Sequence, residues 1–239
     1  MLYDDRQASA YDARYADRFA EVAPIVDLLT SLGASGPVLE LGIGTGRLGL
    51  PLAGRGLEVH GIDSSEAMVA RLRAKPGGDD CRVWIGDFAD VDALVEGSYP
   101  LVFVAFNTLF ELESQDDQVR CFAGVARHLR PGGVFVVEAF APDLTRLDQH
   151  LSVALLEADE VRLQATRHDP LTQRVAGQSI SVTDGGVALW PWAIRYASVP
   201  ELDLMARLAG LRLRDRWSGW AREPFTAAST RHVSVYERP

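Results

Sequence analysis

Residues 38–46, Val-Leu-Glu-Leu-Gly-Ile-Gly-Thr-Gly, constrain the fold more than any other part of the chain. The apolar lead reads as a first strand, and the glycines at alternate positions read as a turn that opens a helix. A backbone without Cβ atoms lets a ligand approach closely, so this is the shape of a nucleotide-cofactor site. The spacing narrows the choice of cofactor. A dinucleotide site needs G-x-G-x-x-G, and here Arg47 stands where its last glycine belongs. The phosphate-binding pattern G-x-x-x-x-G-K-[ST] does not occur.

The rest of the chain alternates strands and helices. Residues 10–32 read as helix in two pieces around Pro24, with Val22, Ile25, Val26, Leu29 and Leu32 at helical spacing. Strand one is 37–41, and the helix after the glycine turn covers 46–54. Val59 to Asp63 is strand two, and Ser64 or Ser65 caps a helix that runs to Arg73. Arg82 to Ile85 and Leu101 to Phe106 are strands three and four. Ser114-x-x-Asp117 opens a helix that Pro131-Gly132-Gly133 stops, and Val134 to Glu138 is strand five. This alternation predicts an α/β fold, a doubly wound sheet with ligands beyond the carboxyl ends of its strands.

Beyond residue 140 the pattern changes. Residues 151–198 read as antiparallel strands, with Asp184-Gly185-Gly186 as a hairpin turn. Ala188, Trp190, Trp192, Ile194 and Tyr196 share one face, and Pro191 on the other face marks an edge strand or a bulge. Glu201 to Ala209 is a helix, and 211–217 and 232–237 are final strands.

Length and composition exclude several classes. A chain of 239 residues, 47% hydrophobic and 24% charged, buries a full core as one domain. Its apolar runs are of strand length, too short for a membrane helix. The acidic start Met1-Leu2-Tyr3-Asp4-Asp5 lacks the layout of a signal peptide, and Cys81 and Cys121 lack metal spacing, so a cytoplasmic protein is expected. A net charge of −9 with no basic run disfavours nucleic acid; Lys75 is the only lysine.

Glu40 with Gly42, Gly44 and Gly46 resembles motif I of the class I S-adenosylmethionine-dependent methyltransferases. Asp63, 17 residues past Gly46, resembles the acidic end of that family's second strand. Gly86-Asp87-Phe88 resembles its motif III, and His128-Leu129-Arg130-Pro131-Gly132-Gly133 its turn before strand five. Ser9-Ala10-Tyr11-Asp12 resembles the lid of its small-molecule members. The resemblance implies a Rossmann-like mixed sheet with an antiparallel insertion after strand five. It implies a helical lid over 1–36, a cofactor-binding core over 37–140, a substrate-side insertion over 141–198, and a C-terminal segment, 199–239, that completes the core.

It also implies the site. Glu40 and the Gly42–Gly46 loop hold the methionine part of S-adenosylmethionine, and Asp63 accepts hydrogen bonds from the ribose. Ser64 to Met68 lies beside the adenine, with core packing the other reading of Met68. Asp87 accepts from the adenine amino group beside Phe88. Phe106 and Asn107 stand where methyl and acceptor meet, although Asn107 equally suits a turn cap. Tyr11 closes over the sulfonium or packs the helix. Glu138 binds a cationic amine, acts as base, or stays clear of the chemistry. His168 and the Trp190/Trp192 face belong to the region that shapes the acceptor pocket, or to core. His128 is a surface residue. No metal is expected.

The segments 106–110, 201–207 and 224–226 look similar to actinobacterial natural-product N-methyltransferases, including α-N-methyltransferases of linaridin peptides. N-methylation of a small-molecule or short-peptide amine, yielding S-adenosylhomocysteine, is the leading expectation. O-methylation is the alternative, and a non-catalytic cofactor-binding protein is the alternative of another class. No nucleic-acid or membrane partner is expected, and the exposed antiparallel edge in 151–198 suits pairing of two chains.

Overall fold

A computed structural model describes residues 4–15, 22–33, 36–144 and 150–239. Helix α1 (Asp5–Arg14) begins earlier than its apolar spacing suggests. Asp4 caps it, accepting from the Gln7 backbone while the Gln7 side chain accepts from the Asp4 backbone. In α2 (Val22–Gly33), Pro24 sits in the first turn, where its missing N–H costs nothing, and so does not divide the helix. The stretch between these helices lies outside the described residues.

Strands β1 (Val38–Leu41), β2 (Val59–Asp63), β3 (Arg82–Ile85), β4 (Tyr99–Val104) and β5 (Leu129–Phe140) are parallel; β11 (Arg231–Glu237) pairs with β5 antiparallel, and β10 (Arg212–Trp217) pairs antiparallel with β11, so it runs with the first five. The sheet order is β10-β11-β5-β4-β1-β2-β3. Direction along the sheet therefore reverses between β1 and β4, which opens a crevice at their carboxyl ends. Around these strands run α3 (Gly49–Gly54), α4 (Glu66–Arg73), α5 (Val91–Leu94), α6 (Gln115–His128) and α7 (Val199–Leu208).

Two expected boundaries move. Helix α3 starts at Gly49 because 46–48 remain in the turn. Strand β5 extends back to Leu129, because Leu129 pairs with Tyr99 and the Gly132 N–H donates to Arg238 O across a break in register. Other local signals act as expected. Ser65 caps α4 and Ser114 caps α6.

Two cores flank the sheet. Leu39, Leu41, Val102 and Val104 pack on one face with Phe122 and Val125 of α6. Val38, Leu101 and Phe103 pack on the other with Ile25, Val26, Leu28 and Leu29 of α2. Helix α2 thus belongs to the core. Of the segment 1–36, expected to form a lid, only α1 stands over the crevice among the described residues.

The insertion is a second sheet, β6 (Leu151–Leu156), β7 (Glu160–Asp169), β8 (Arg174–Thr183) and β9 (Gly186–Arg195), all antiparallel in that order. Pro191 lies in β9, an edge strand whose pairing with β8 is unbroken, so the missing N–H disrupts no ladder. The other edge, β6, exposes Leu151, Val153 and Leu156. No helix among the described residues is long and apolar enough to cross a membrane.

Candidate active site

The crevice at the switch point is built from strand ends. After β1 the chain turns through Gly42 (φ +74°) and Gly44 (φ +56°), left-handed conformations that favour glycine. The Gly44 N–H donates to Asp63 Oδ2 at 2.7 Å, and the Ser65 N–H donates to Oδ1 at 2.9 Å. Asp63 therefore braces the turn. It keeps unused lone pairs, and with Gly42, Gly44, Ser64 and Met68 it lines a hollow. Burial raises the Asp63 pKa, and the two backbone bonds oppose that shift.

Glu40 lies beneath the turn, 5% exposed. Its Oε2 is buried without a hydrogen-bond partner among the described residues. Burial pushes its carboxyl pKa up to about 8, partly offset by the Arg47 charge. An acid buried this way is poised for a cation, since a positive neighbour favours its charged form. Gly46, expected at the cofactor, lines none of the site's cavities. Its missing Cβ instead lets the turn pack, since a Cβ there would stand 2.8 Å from Leu50 Cγ and 3.1 Å from Leu72 Cγ.

Ser64, Phe88 and Glu111 continue from this hollow into a wider cavity of about 570 Å³, which Asp87 also lines. Asp87 Oδ1 accepts from the Ala89 N–H at 2.8 Å, so it caps the short turn as well as facing the cavity. Met68 is both buried core and cavity wall.

After β4, Phe106 (φ 60°) and Asn107 (φ 66°) are both left-handed, a strained geometry for residues with side chains. Their neighbours hold it. Glu138 Oε2 accepts from the Phe106 N–H at 2.8 Å, and Asn107 Oδ1 accepts from the Phe140 N–H at 2.7 Å. Glu138 and Asn107, expected either to act on the acceptor or to stay clear of it and cap the turn, line none of the site's cavities; their hydrogen bonds shape the turn. The Phe106 ring meets Tyr15 edge-on at 5.4 Å and lies 5.1 Å from the Arg47 guanidinium.

Tyr11 is the hinge of the arrangement. It lines the cofactor hollow and also a second cavity of about 270 Å³ on the side of the inserted sheet. Burial, then the neighbouring Tyr15 and Glu111, push its phenol pKa up, so the hydroxyl stays protonated. Trp190 and Trp192 line that second cavity, and Trp192 also packs on the core. His168 does not line it; its Nε2 pairs with the Tyr196 hydroxyl at 3.0 Å. His128 stays at the end of α6 on Gly97 O and Asp92.

Sequence reasoning missed several wall residues. Thr108 and Glu111 line the cofactor hollow, but they follow a left-handed turn that has no periodic signature. Gln7 and Arg14 join Tyr11 on one face of α1, and the Asp4-x-x-Gln7 capping pattern was the signal for that helix. Among the described residues, no group of three His, Cys, Asp or Glu side chains is placed to hold a metal ion.

A buried acid with one unpaired oxygen, a carboxylate with unused lone pairs and glycines open to a cavity fit a cationic nucleoside cofactor. Comparison with known proteins agrees. A model of the methyltransferase domain matches residues 38–133. The solved CcbJ methyltransferase from Streptomyces caelestis is 42% identical, with a TM-score of 0.83 over 90% of this chain and 94% of that one. The cypemycin N-terminal methyltransferase of a Streptomyces species is 28% identical over 99% of this chain and 98% of its own length. The dTDP-4-amino-2,3,4,6-tetradeoxy-D-glucose N,N-dimethyltransferase of Saccharopolyspora spinosa is 28% identical over 76% of this chain and 74% of its own. The chain belongs to the S-adenosylmethionine-dependent methyltransferases. It is an enzyme, and its cofactor is S-adenosylmethionine.

Proposed function

We propose that the enzyme methylates an amine, either an N-terminal peptide amine or a natural-product amine. One observation carries this reading. Tyr11 joins the cofactor hollow to an aromatic cavity in which, among the described residues, no carboxylate or imidazole takes part. A hydroxyl acceptor would lack a proton acceptor there, whereas a neutral amine already presents its lone pair. Two relatives named above for N-methylation support the same choice.

The roles follow from position. Glu40 lines none of the site's cavities, and from below Gly42 and Gly44 it supplies a carboxylate to the cationic methionine end. Asp63 accepts from the ribose, and Ser64, Met68, Asp87 and Phe88 enclose the adenosine. Bound S-adenosylmethionine supplies a methyl group already activated on a sulfonium. Tyr11, kept neutral, offers a hydroxyl where the two cavities meet. Glu138 and Asn107 are positioning residues: they hold the turn that places Phe106 against Tyr15. Aromatic walls exclude water and hold the acceptor in line, an effect that reaches roughly 7–11 kcal/mol in well-oriented systems.

The buried free thiols of Cys81 and Cys121 support a reducing, cytoplasmic setting. The exposed apolar side chains of β6 support pairing of two chains through the inserted sheet. A panel of peptides and small amines, with free and blocked nitrogens, tests the acceptor class by added methyl mass. Products from free amines alone are expected; methylation of phenols but of no amine would replace the reading with O-methylation. Asp63→Ala is expected to weaken cofactor binding at least about tenfold, because ribose hydroxyls lose a charged partner. Unchanged affinity in calorimetry would remove Asp63 from the site.

A further inference from the structure

The acceptor-side cavity has a charge character opposite to that of the chain. The protein carries a net charge of −9, yet this cavity is lined by one guanidinium, Arg14, and among the described residues by no carboxylate. Two walls form it. Helix α1 contributes one face, with Tyr11 and Arg14 three positions apart. The inserted sheet contributes a cross-strand row, in which Gln164 pairs with Ser179 and Ser179 with Trp190.

Arg14 is held in place with no ion pair among the described residues. Its Nη2 donates to Ser179 Oγ at 2.5 Å, and its guanidinium lies 4.7 Å from the centroid of the Trp190 ring. Ser179 is a hydroxyl on a 3% exposed residue, not a counter-charge. Glu160 feels the Arg14 charge, but its Oε1 accepts from Arg162 and from Ser181. A guanidinium fixed by stacking keeps its remaining N–H groups in one plane, a geometry matched to two oxygens of one anion. Gln164 adds to this bias. Its Oε1 accepts from Trp192 Nε1 at 3.2 Å, so its amide N–H groups are what it has left to offer.

We propose that the methyl acceptor carries an anionic oxygen group, a carboxylate or a phosphate, and that Arg14 is the specificity-determining residue that binds it. The reacting amine then stands at the Tyr11 end of the same cavity. This inference rests on the methyl-transfer reading of the site. It restricts the acceptor class to amines that are also anions, such as amino acids, peptides with a nearby carboxylate, or amino phosphates.

The test is calorimetry on the full chain saturated with S-adenosylhomocysteine. Two matched pairs serve as probes: glycyl-leucine against its C-terminal amide, and O-phosphoethanolamine against ethanolamine. In at least one pair the anionic member is expected to bind about tenfold more tightly, the size of effect a charge-assisted bidentate contact supports. The pair that shows the gap tells carboxylate from phosphate. In Arg14→Gln the gap closes to about twofold or less, while unchanged affinity for S-adenosylhomocysteine shows that the fold is intact. If that variant loses the nucleoside, Arg14→Lys carries the test, with the fork removed and the gap narrowed at least about threefold. Equal binding within both pairs, no binding by either anionic probe, or a gap that survives substitution of Arg14 overturns the proposal. Failure of the wild-type chain to bind S-adenosylmethionine would instead sink the methyl-transfer reading, and this inference with it.

Discussion

Glu40 links burial, charge and ligand in one side chain. Its strand position places it under the glycine turn, and burial pushes its pKa from 4.5 up to about 8. The sign of the consequence is fixed. Between pH 4.5 and about 8 the folded chain keeps a proton that the unfolded chain has released, so Glu40 makes stability fall as pH rises through that window. One such proton gives a slope of at most about 1.4 kcal/mol per pH unit. Glu40→Gln should therefore melt close to wild type near pH 5 and above it near pH 8. The same variant should bind S-adenosylmethionine more weakly, because an amide cannot ionise to meet the cation. Parallel melting profiles for the two proteins across this range would show that Glu40 is not held protonated.

At the scale of elements, α1 is the part of the site most dependent on a few bonds. The chain's only lysine, Lys75 beyond the end of α4, reaches Asp12 Oδ2 at 2.5 Å and the Thr45 carbonyl at 2.8 Å. Thr45 Oγ1 donates to Asp12 Oδ1 at 2.6 Å. These contacts tie the helix carrying Tyr11 to the glycine turn. The pair is partly exposed, so its worth to global stability is small, about 0.5–1 kcal/mol at most. Its effect belongs to the position of α1. Lys75→Ala should speed release of S-adenosylhomocysteine several-fold in stopped-flow measurements with little change in melting temperature. A release rate equal to that of wild type would show that α1 stays seated without the clasp.

At the scale of the whole molecule, the inserted sheet is joined to the core by a buried polar knot. Arg195, at the end of β9, donates to Gln118 Oε1 on α6 at 2.6 Å and to Glu201 Oε1 on α7 at 2.6 Å. Gln118 in turn donates to Arg195 O at 2.7 Å. Burial pushes the Glu201 pKa up, but the hydrogen bonds from Arg195, Gln173 and Gln115 outweigh it and hold it below its ordinary value. Removing the guanidinium leaves Gln118 and Glu201 short of partners. Arg195→Met should cost about 3–5 kcal/mol, read from denaturant unfolding. A loss under about 1 kcal/mol would mean that apolar packing of Val175, Tyr196 and Ala197 on the core holds the two sheets together without the knot.

Sequence alone located much of the wall of the cofactor hollow: Tyr11, Gly42, Gly44, Asp63, Ser64, Met68 and Phe88 all line it. Glu40 lies within a strand and Gly42, Gly44, Asp63 and Asp87 each follow or end one, and a parallel sheet brings strand ends to one crevice whatever the loops do. Placing them at the crevice needs only local patterns and their order, while their roles toward the cofactor came from the resemblance to the methyltransferase family. The acceptor half is different. Gln7, Tyr11 and Arg14 of α1 meet Gln164, Ser179 and Trp190 across most of the chain, and neither segment carries a mark that names the other. Glu138 shows the same limit from the opposite side. Its place at the end of a strand suggested chemistry, but the left-handed turn at Phe106 and Asn107 engages its carboxylate as a brace. Only the tertiary structure decided these contacts, because the hydrogen bonds and charges beside a side chain are set by folding and not by its neighbours in sequence.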